Sequence, residues 1–196
     1  MSCSRAVGGA IAWITVIFEG GLLALAMGVG WWVGQPPFAR MSLDWQAVVL
    51  GIVATGPPLL GMWWCARSSW GPLRRLQHEV LEKIVPFFAE CSWLELTVVA
   101  VAAGLAEEAL FRGVLQIGLA DWLGPSGALL LASTLFGLCH LLTPTYALIA
   151  ALLGLYLGGL LIASGNLLPA ILVHASYDLG ALLYLIRTQP RQQSRS

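Results

Sequence analysis

Charged residues are scarce in this 196-residue chain. Only 10% of its residues are Asp, Glu, Lys or Arg, and ten acids balance ten bases. A neutral chain without a basic stretch lacks the electrostatic footprint of a nucleic-acid-binding protein, so no nucleic-acid partner is expected. The four cysteines (Cys3, Cys65, Cys91 and Cys139) are scattered without Cys-x-x-Cys spacing, which argues against a disulfide framework or a sulfur metal site.

Several protease signatures are also missing. The chain has no His-Glu-x-x-His, which excludes a zincin helix, and no Gly-x-Ser-x-Gly. It also has no pair of aspartates at span centres, as an aspartyl intramembrane protease would need. If the chain is an enzyme, its chemistry depends on other residues.

Long apolar runs are abundant. The chain is 58% hydrophobic with a mean hydropathy of +0.81, which is typical of a membrane protein. The pattern predicts one all-α integral membrane domain, 1–196, with about six transmembrane helices, a surface amphipathic helix in the link 66–91 and a polar tail, 188–196. The predicted spans are 10–33, 45–65, 93–119, 127–142, 144–163 and 167–186.

Breaks within and between these spans are predicted from proline and glycine. Pro57-Pro58 interrupts the second span, and freed carbonyl groups there need partners on neighbouring helices. Gly124-Pro125 marks a turn between the third and fourth spans. Gly154 and Gly158 form a small-xxx-small pattern that lets helices approach closely.

Basic residues give an orientation. With the N-terminus inside, eight basic residues lie on the cytoplasmic side and only Arg40 lies outside, so both termini are expected in the cytoplasm. Scarce lysine with abundant arginine, tryptophan, glycine and leucine indicates a GC-rich bacterial genome. The expected location is therefore a bacterial plasma membrane, with the lipid bilayer as one partner.

Three charged side chains stand inside the third span: Glu107, Glu108 and Arg112. A charge at that depth is costly unless it is paired or faces a polar cavity, and it marks a candidate functional site. Glu108 and Arg112 are four apart and can pair on one helical face, while Glu107 lies about 100° round the helix. A purely structural salt bridge is the alternative, but one arginine does not neutralise two acids.

Further polar residues occur in later spans. His174 and Asp178 share one helical face, a spacing that suits a carboxylate accepting an imidazole N–H. His140 has Phe136 one turn before it. Each histidine alone fits a core residue bonded to a backbone carbonyl, but polar groups within a membrane need one another, so all are expected to meet in one cavity.

Two chemistries fit such a cavity. In one, a glutamate acts as a general base and activates water to attack an amide carbonyl. In the other, His140, His174 and a glutamate bind Zn²⁺, which activates the water. The residues leave the choice between no cofactor and zinc open.

The three patterns together resemble a known family. Glu107-Glu108-x-x-x-Arg112, Phe136-x-x-x-His140 and His174-x-x-x-Asp178 are similar to the ordered motifs of the CPBP family, which includes CAAX prenyl endopeptidases and bacteriocin-processing and immunity (Abi) proteins. The resemblance covers about half the chain and implies a catalytic core over 92–187.

The resemblance implies an intramembrane endopeptidase. Its substrate would be a membrane-associated peptide or protein, of the CAAX type or another type. Glu107 would activate water, and His140 would position it or stabilise the oxyanion. Glu108, Arg112, His174 and Asp178 would complete the site. Asp178 replaces the asparagine common in this family, and it would more naturally orient His174 than hold an oxyanion. Family members are described both as metalloproteases, with Glu107, His140 and His174 as the metal ligands here, and as metal-free glutamate proteases.

Two other functions are considered. A family member can act by binding, for example in bacteriocin immunity or as a scaffold. A small proton-coupled transporter would instead use Glu19, Glu107 and His174 as a relay. One difficulty concerns depth, because the predicted spans place His140 about 20 Å and His174 about 10 Å past the starts of two parallel helices.

Overall fold

The computed structural model describes the backbone of residues 2–188 and the side chains of residues 8–188. It confirms an all-α fold, with no strand in the described part of the chain. The predicted polar tail lies outside the described residues, apart from Thr188. The helices are α1 (Ser2–Trp32), α2 (Trp45–Ala54), α3 (Gly56–Arg67), α4 (Gly71–Lys83), α5 (Val85–Phe88), α6 (Trp93–Glu108), a π-helical segment (Ala109–Gln116), α7 (Ile117–Cys139), α8 (Pro144–Ser164) and α9 (Leu168–Thr188).

The helices can cross a membrane, but their number differs from the predicted six. Four segments are long and apolar enough by length and composition: 8–32, 45–67, 144–164 and 168–188. A fifth is added if the bent pair Gly71–Phe88 and Trp93–Cys139 counts as one span. The difference arises because the third and fourth predicted spans are joined in one helical run.

That run folds back on itself at Gly124, within the predicted turn. Gly124 has φ 69° and ψ 164°, a conformation that suits glycine, and Pro125 follows it. After this kink the chain returns along the π-helical segment, and the Phe111 and Phe136 rings pack edge to face with centroids 5.1 Å apart. The kink thus brings the second motif, Phe136-x-x-x-His140, beside the first.

The predicted break in the second span is confirmed. Helix α2 ends at Ala54, and Pro57 and Pro58 lie in the first turn of α3, where a missing N–H is tolerated. The Ala54 carbonyl freed by the break accepts a hydrogen bond of 2.7 Å from the Tyr156 hydroxyl of α8. A neighbouring helix therefore satisfies the interrupted backbone, as the membrane requires.

The predicted amphipathic helix is present as α4. Leu73 and Leu76 on one face are buried, whereas Arg74 and Arg75 are exposed. Such a helix suits a position in which its apolar face packs against other side chains and its charged face meets polar surroundings. Its placement on the membrane surface remains a prediction.

Helix α8 packs closely through its glycines. The carbonyls of Gly154 and Gly158 accept hydrogen bonds from the side chains of Arg112 and Gln116, at 3.2 and 3.0 Å. A larger residue at either position would meet those side chains. The small-xxx-small pattern therefore serves both close packing and the burial of polar groups.

We predict that Gly137→Ala destabilises the fold by about 1–3 kcal/mol, because overpacking a tight helix contact forces the backbone apart. A Cβ at Gly137 would lie 2.5 Å from the Ala147 carbonyl oxygen and 2.7 Å from the Ala151 Cβ. Gly159→Ala is the matched control, since a Cβ there meets nothing within 4 Å. Equilibrium unfolding in mixed micelles measures both; equal stability of Gly137→Ala and wild type would contradict the α7–α8 packing.

Candidate active site

The first motif lies at the junction of two helix types. Helix α6 begins at a capping box, in which the Ser92 side chain and Glu95 bond each other's backbone N–H groups, and it ends at Glu108. The prediction of a continuous α-helix through 93–119 is wrong for Ala109–Gln116, which is π-helical. Wider turns of this kind are rare and occur often at functional sites. Arg112 lies within this segment.

Glu108 and Arg112 form a fully buried ion pair. The Arg112 Nη1 donates to Glu108 Oε1 at 2.8 Å, and the two side chains are 1% and 0% exposed. The Arg112 Nη2 donates to the Gly154 carbonyl, and the guanidinium stacks 4.4 Å from the Phe136 ring centroid. The pair joins the π-helical segment to α7 and α8. The predicted ion pair therefore also has a structural role.

His174 connects this pair to α9. Its Nδ1 lies 2.7 Å from Glu108 Oε1, and its Nε2 lies 3.4 Å from Asp178 Oδ2. Ionised carboxylates only accept hydrogen bonds, so both ring nitrogens are positioned to donate. Asp178 orients His174, as its spacing predicted, and Glu108 serves as a second acceptor that the spacing did not reveal.

His140 lies at the end of α7 and faces the first motif. Its Nδ1 donates to the Phe136 carbonyl at 2.8 Å, because a carbonyl can only accept. That bond fixes the ring and directs Nε2 to a point 3.6 Å from Glu107 Oε2. His174 Nε2 lies 4.0 Å from the same oxygen. The structure thus places both histidines around Glu107.

The expected depth difference between the histidines does not separate them. The His140 ring packs against Phe136, with centroids 4.5 Å apart, and its Nε2 lies near the same Glu107 oxygen as His174 Nε2. The Glu107 oxygen then lies between the two imidazoles and contacts both. Because both imidazoles approach the Glu107 carboxylate, the two histidine rings can lie several ångströms apart and still belong to one site.

Glu107 is held differently from its neighbour. Its side chain is 14% exposed, and its Oε2 is buried without a hydrogen-bond partner among the described residues. A buried polar atom without a partner is costly and calls for an explanation, such as a bound water. Glu107 therefore has an oxygen available for chemistry. Glu108 is fully buried and engages Arg112 and His174 through Oε1, and its Oε2 also has no hydrogen-bond partner among the described residues.

Two further side chains belong to the surroundings of the site. Glu19 on α1 is only 6% exposed, and electrostatic interactions link it to Glu107, His174 and Asp178. The sequence identified Glu19 but gave no reason to place it here. Tyr146 in the first turn of α8 was missed; its position six residues after His140 was the only available signal.

The zinc alternative, which the sequence left open beside a site without a cofactor, does not fit the arrangement of the described residues. Within residues 8–188, no three His, Cys, Asp or Glu side chains form a group that could hold a metal ion. His174 Nε2 faces Asp178, and Glu107, His140 and His174 converge without forming such a group.

Comparison with known families supports the same region. Residues 89–180 match the family model described as type II CAAX prenyl endopeptidase Rce1-like, which confirms the family resemblance of this segment. All six candidate site residues lie within it. No curated protein and no solved structure matched the chain. This match supports a CAAX-type intramembrane protease at the level of the family, and the apolar helices indicate an integral membrane protein.

We predict that Arg112→Ala destabilises the protein by about 3–5 kcal/mol, because removing one member of a buried ion pair leaves an uncompensated charge. Lys83→Ala is the control, since it removes the exposed Lys83–Glu79 pair and should change stability little. Thermal unfolding in detergent measures both. Equal effects of the two substitutions would show that the buried pair does not stabilise the fold.

Proposed function

We propose that this protein is an intramembrane endopeptidase that hydrolyses a peptide bond of a membrane-associated substrate with a water activated by Glu107. One observation carries the proposal: Glu107 Oε2 is buried and unpartnered, and the Nε2 atoms of His140 and His174 lie 3.6 and 4.0 Å away. Such distances leave room for a molecule that bridges the three groups. A water there would contact the Glu107 carboxylate, which acts as the base, and the Nε2 atoms of the two histidines.

The two glutamates have separate roles in this proposal. Glu108 accepts hydrogen bonds from Arg112 and His174 on one oxygen, and its side chain is inaccessible. Its negative charge is balanced and cannot reach a substrate. Glu107 has no such donor and is partly accessible, so it is the carboxylate that can take a proton.

The reaction follows from these positions. The water oxygen forms a bond to the scissile carbonyl carbon while one water proton passes to Glu107. The carbon–nitrogen bond then breaks, and the proton from Glu107 goes to the leaving nitrogen. His140 positions the water, and its orientation depends on the bond to Phe136. Arg112, Glu108 and Asp178 keep His174 and the helix ends in place.

We propose that the substrate enters on the side of α4. A cleft between α4 and the start of α8 is lined by Gly71, Pro72, Arg75, Thr143, Pro144 and Thr145. It lies beside the turn that connects His140 to α8. With both termini in the cytoplasm, as the basic residues predict, this cleft opens on the cytoplasmic side. The family description makes prenylated CAAX-type peptides the first substrates to test.

We predict that Glu107→Gln lowers kcat by at least about 10²-fold, because an amide cannot take the water proton. The substitution keeps size and shape, so folding should be unchanged. Asp121→Asn, at an exposed acid of α7 just before Gly124, is the matched control and should retain full activity. Cleavage of a library containing prenylated peptides, read by mass spectrometry, measures all three proteins.

Two results would contradict the proposal. Full activity of Glu107→Gln would show that Glu107 is not the general base. Absence of cleavage by folded wild type across prenylated and unmodified peptides would favour a binding function of the same fold.

A further inference from the structure

A second feature of the cleft between α4 and α8 is its charge. The cleft has a volume of about 340 Å³, and one of its lining residues, Arg75, is a cation, whereas none is an acid. Glu79, one turn along α4 from Arg75, pairs with Lys83 at 2.6 Å. Within residues 8–188, no carboxylate forms an ion pair with Arg75. The cleft therefore presents an unpaired guanidinium, which suits an anionic ligand.

Hydroxyl groups line the wall of the cleft that α8 provides. Thr143 and Thr145 lie at the start of that helix, and Arg75 lies on α4. The Thr143 hydroxyl already accepts from the Tyr146 backbone N–H. No hydrogen bond involves the Thr145 hydroxyl in the part of the chain that the structure describes. A guanidinium and a hydroxyl that line one space can donate to different oxygens of a single phosphate group.

The cleft lies at the end of a candidate membrane span. Helix α8 is long and apolar enough to cross a membrane from Pro144 to Ser164. Pro144 and Thr145 therefore lie where such a span meets the lipid headgroups. Trp70, which precedes Gly71 of the cleft, is exposed, and tryptophan is enriched at this interface. Both walls of the cleft are thus at the level of lipid phosphates.

The surface beside the cleft is apolar and exposed. Thr145, Leu148 and Leu152 are spaced three and seven apart, so they share one face of α8. Both leucines are exposed. A hydroxyl at the end of the span, with two leucines deeper on the same face, matches a molecule whose polar group lies above an acyl chain. A small free anion would gain nothing from these leucines, so the pattern favours a lipid as the source of the phosphate.

We propose that the cleft between α4 and α8 binds the phosphate group of an anionic phospholipid. Arg75 and Thr145 donate hydrogen bonds to the phosphate oxygens, and an acyl chain lies along Leu148 and Leu152. The binding is non-covalent and does not depend on peptide hydrolysis. Because the same cleft is the proposed substrate entrance, a bound headgroup and an entering peptide would exclude each other.

The test is a lipid titration of the full-length protein in a neutral detergent, read by native mass spectrometry. Phosphatidylglycerol is the anionic probe, and phosphatidylcholine carries a phosphate without net charge. Wild type should bind one phosphatidylglycerol per chain at least about 10-fold more tightly than phosphatidylcholine. Arg75→Gln should reduce this preference to less than about threefold, because it removes charge-assisted hydrogen bonds to the phosphate.

Arg74→Gln is the matched control, since Arg74 is the neighbouring exposed arginine of α4 and does not line the cleft. It removes the same charge from the same helix, so general attraction to anionic lipid falls equally in both variants. The phosphatidylglycerol preference of Arg74→Gln should stay within about twofold of wild type. Thr145→Val keeps the side-chain shape and the net charge, and it should weaken phosphatidylglycerol binding by about threefold or more. Thermal unfolding verifies that all three variants fold.

Three outcomes would overturn the inference. Equal losses in Arg74→Gln and Arg75→Gln would indicate diffuse charge attraction rather than a site. Equal affinity of wild type for the two lipids would show that the cleft does not select an anion. Displacement of phosphatidylglycerol by inorganic phosphate at an equal concentration would indicate a site for a free anion. None of these outcomes concerns cleavage that depends on Glu107, so the proposed function is tested separately.

Discussion

The buried ion pair of Glu108 and Arg112 is the interaction on which the site depends. Both charges are removed from solvent, so each must be matched by partners from other helices. Arg112 reaches the Gly154 carbonyl and the Phe136 ring, and Glu108 reaches His174. The cost of burying these charges therefore fixes the positions of α7, α8 and α9 relative to the first motif. Glu107, next in the chain, is left between the two histidines.

Much of this arrangement was predictable because intramembrane charge is rare. Few polar residues in apolar spans must pair with one another. Spacing predicted the Glu108–Arg112 and His174–Asp178 pairs, whereas the contact of Glu108 with His174 joins two helices and was not revealed by spacing. Helix-breaking residues were equally informative. Pro57-Pro58 and Gly124-Pro125 restrict the backbone locally, so the breaks occur where the sequence places them.

Other features depend on tertiary contacts that spacing does not encode. Hydrophobic periodicity cannot distinguish an α-helix from a short π-helical segment, so Ala109–Gln116 was missed. Four or five segments are long and apolar enough to cross a membrane, against the six predicted, because the third and fourth predicted spans are joined across the Gly124 kink in one helical run. The ring of Tyr146 meets His140 only because α8 starts directly after it, and a lone tyrosine in an apolar helix carries no signal of its own. Glu19 shows the same limit, since its neighbours come from α6 and α9.

The most direct test of the account follows the oxygen of the attacking water. A single turnover in H₂¹⁸O, with enzyme in excess over a cleavable peptide, distinguishes a base that activates water from a carboxylate that attacks the peptide itself. Mass spectrometry of the product and of the enzyme peptide containing Glu107 gives the answer. The account predicts one ¹⁸O in the new product carboxylate and none in Glu107. Label in Glu107 would show a covalent intermediate and contradict the central claim.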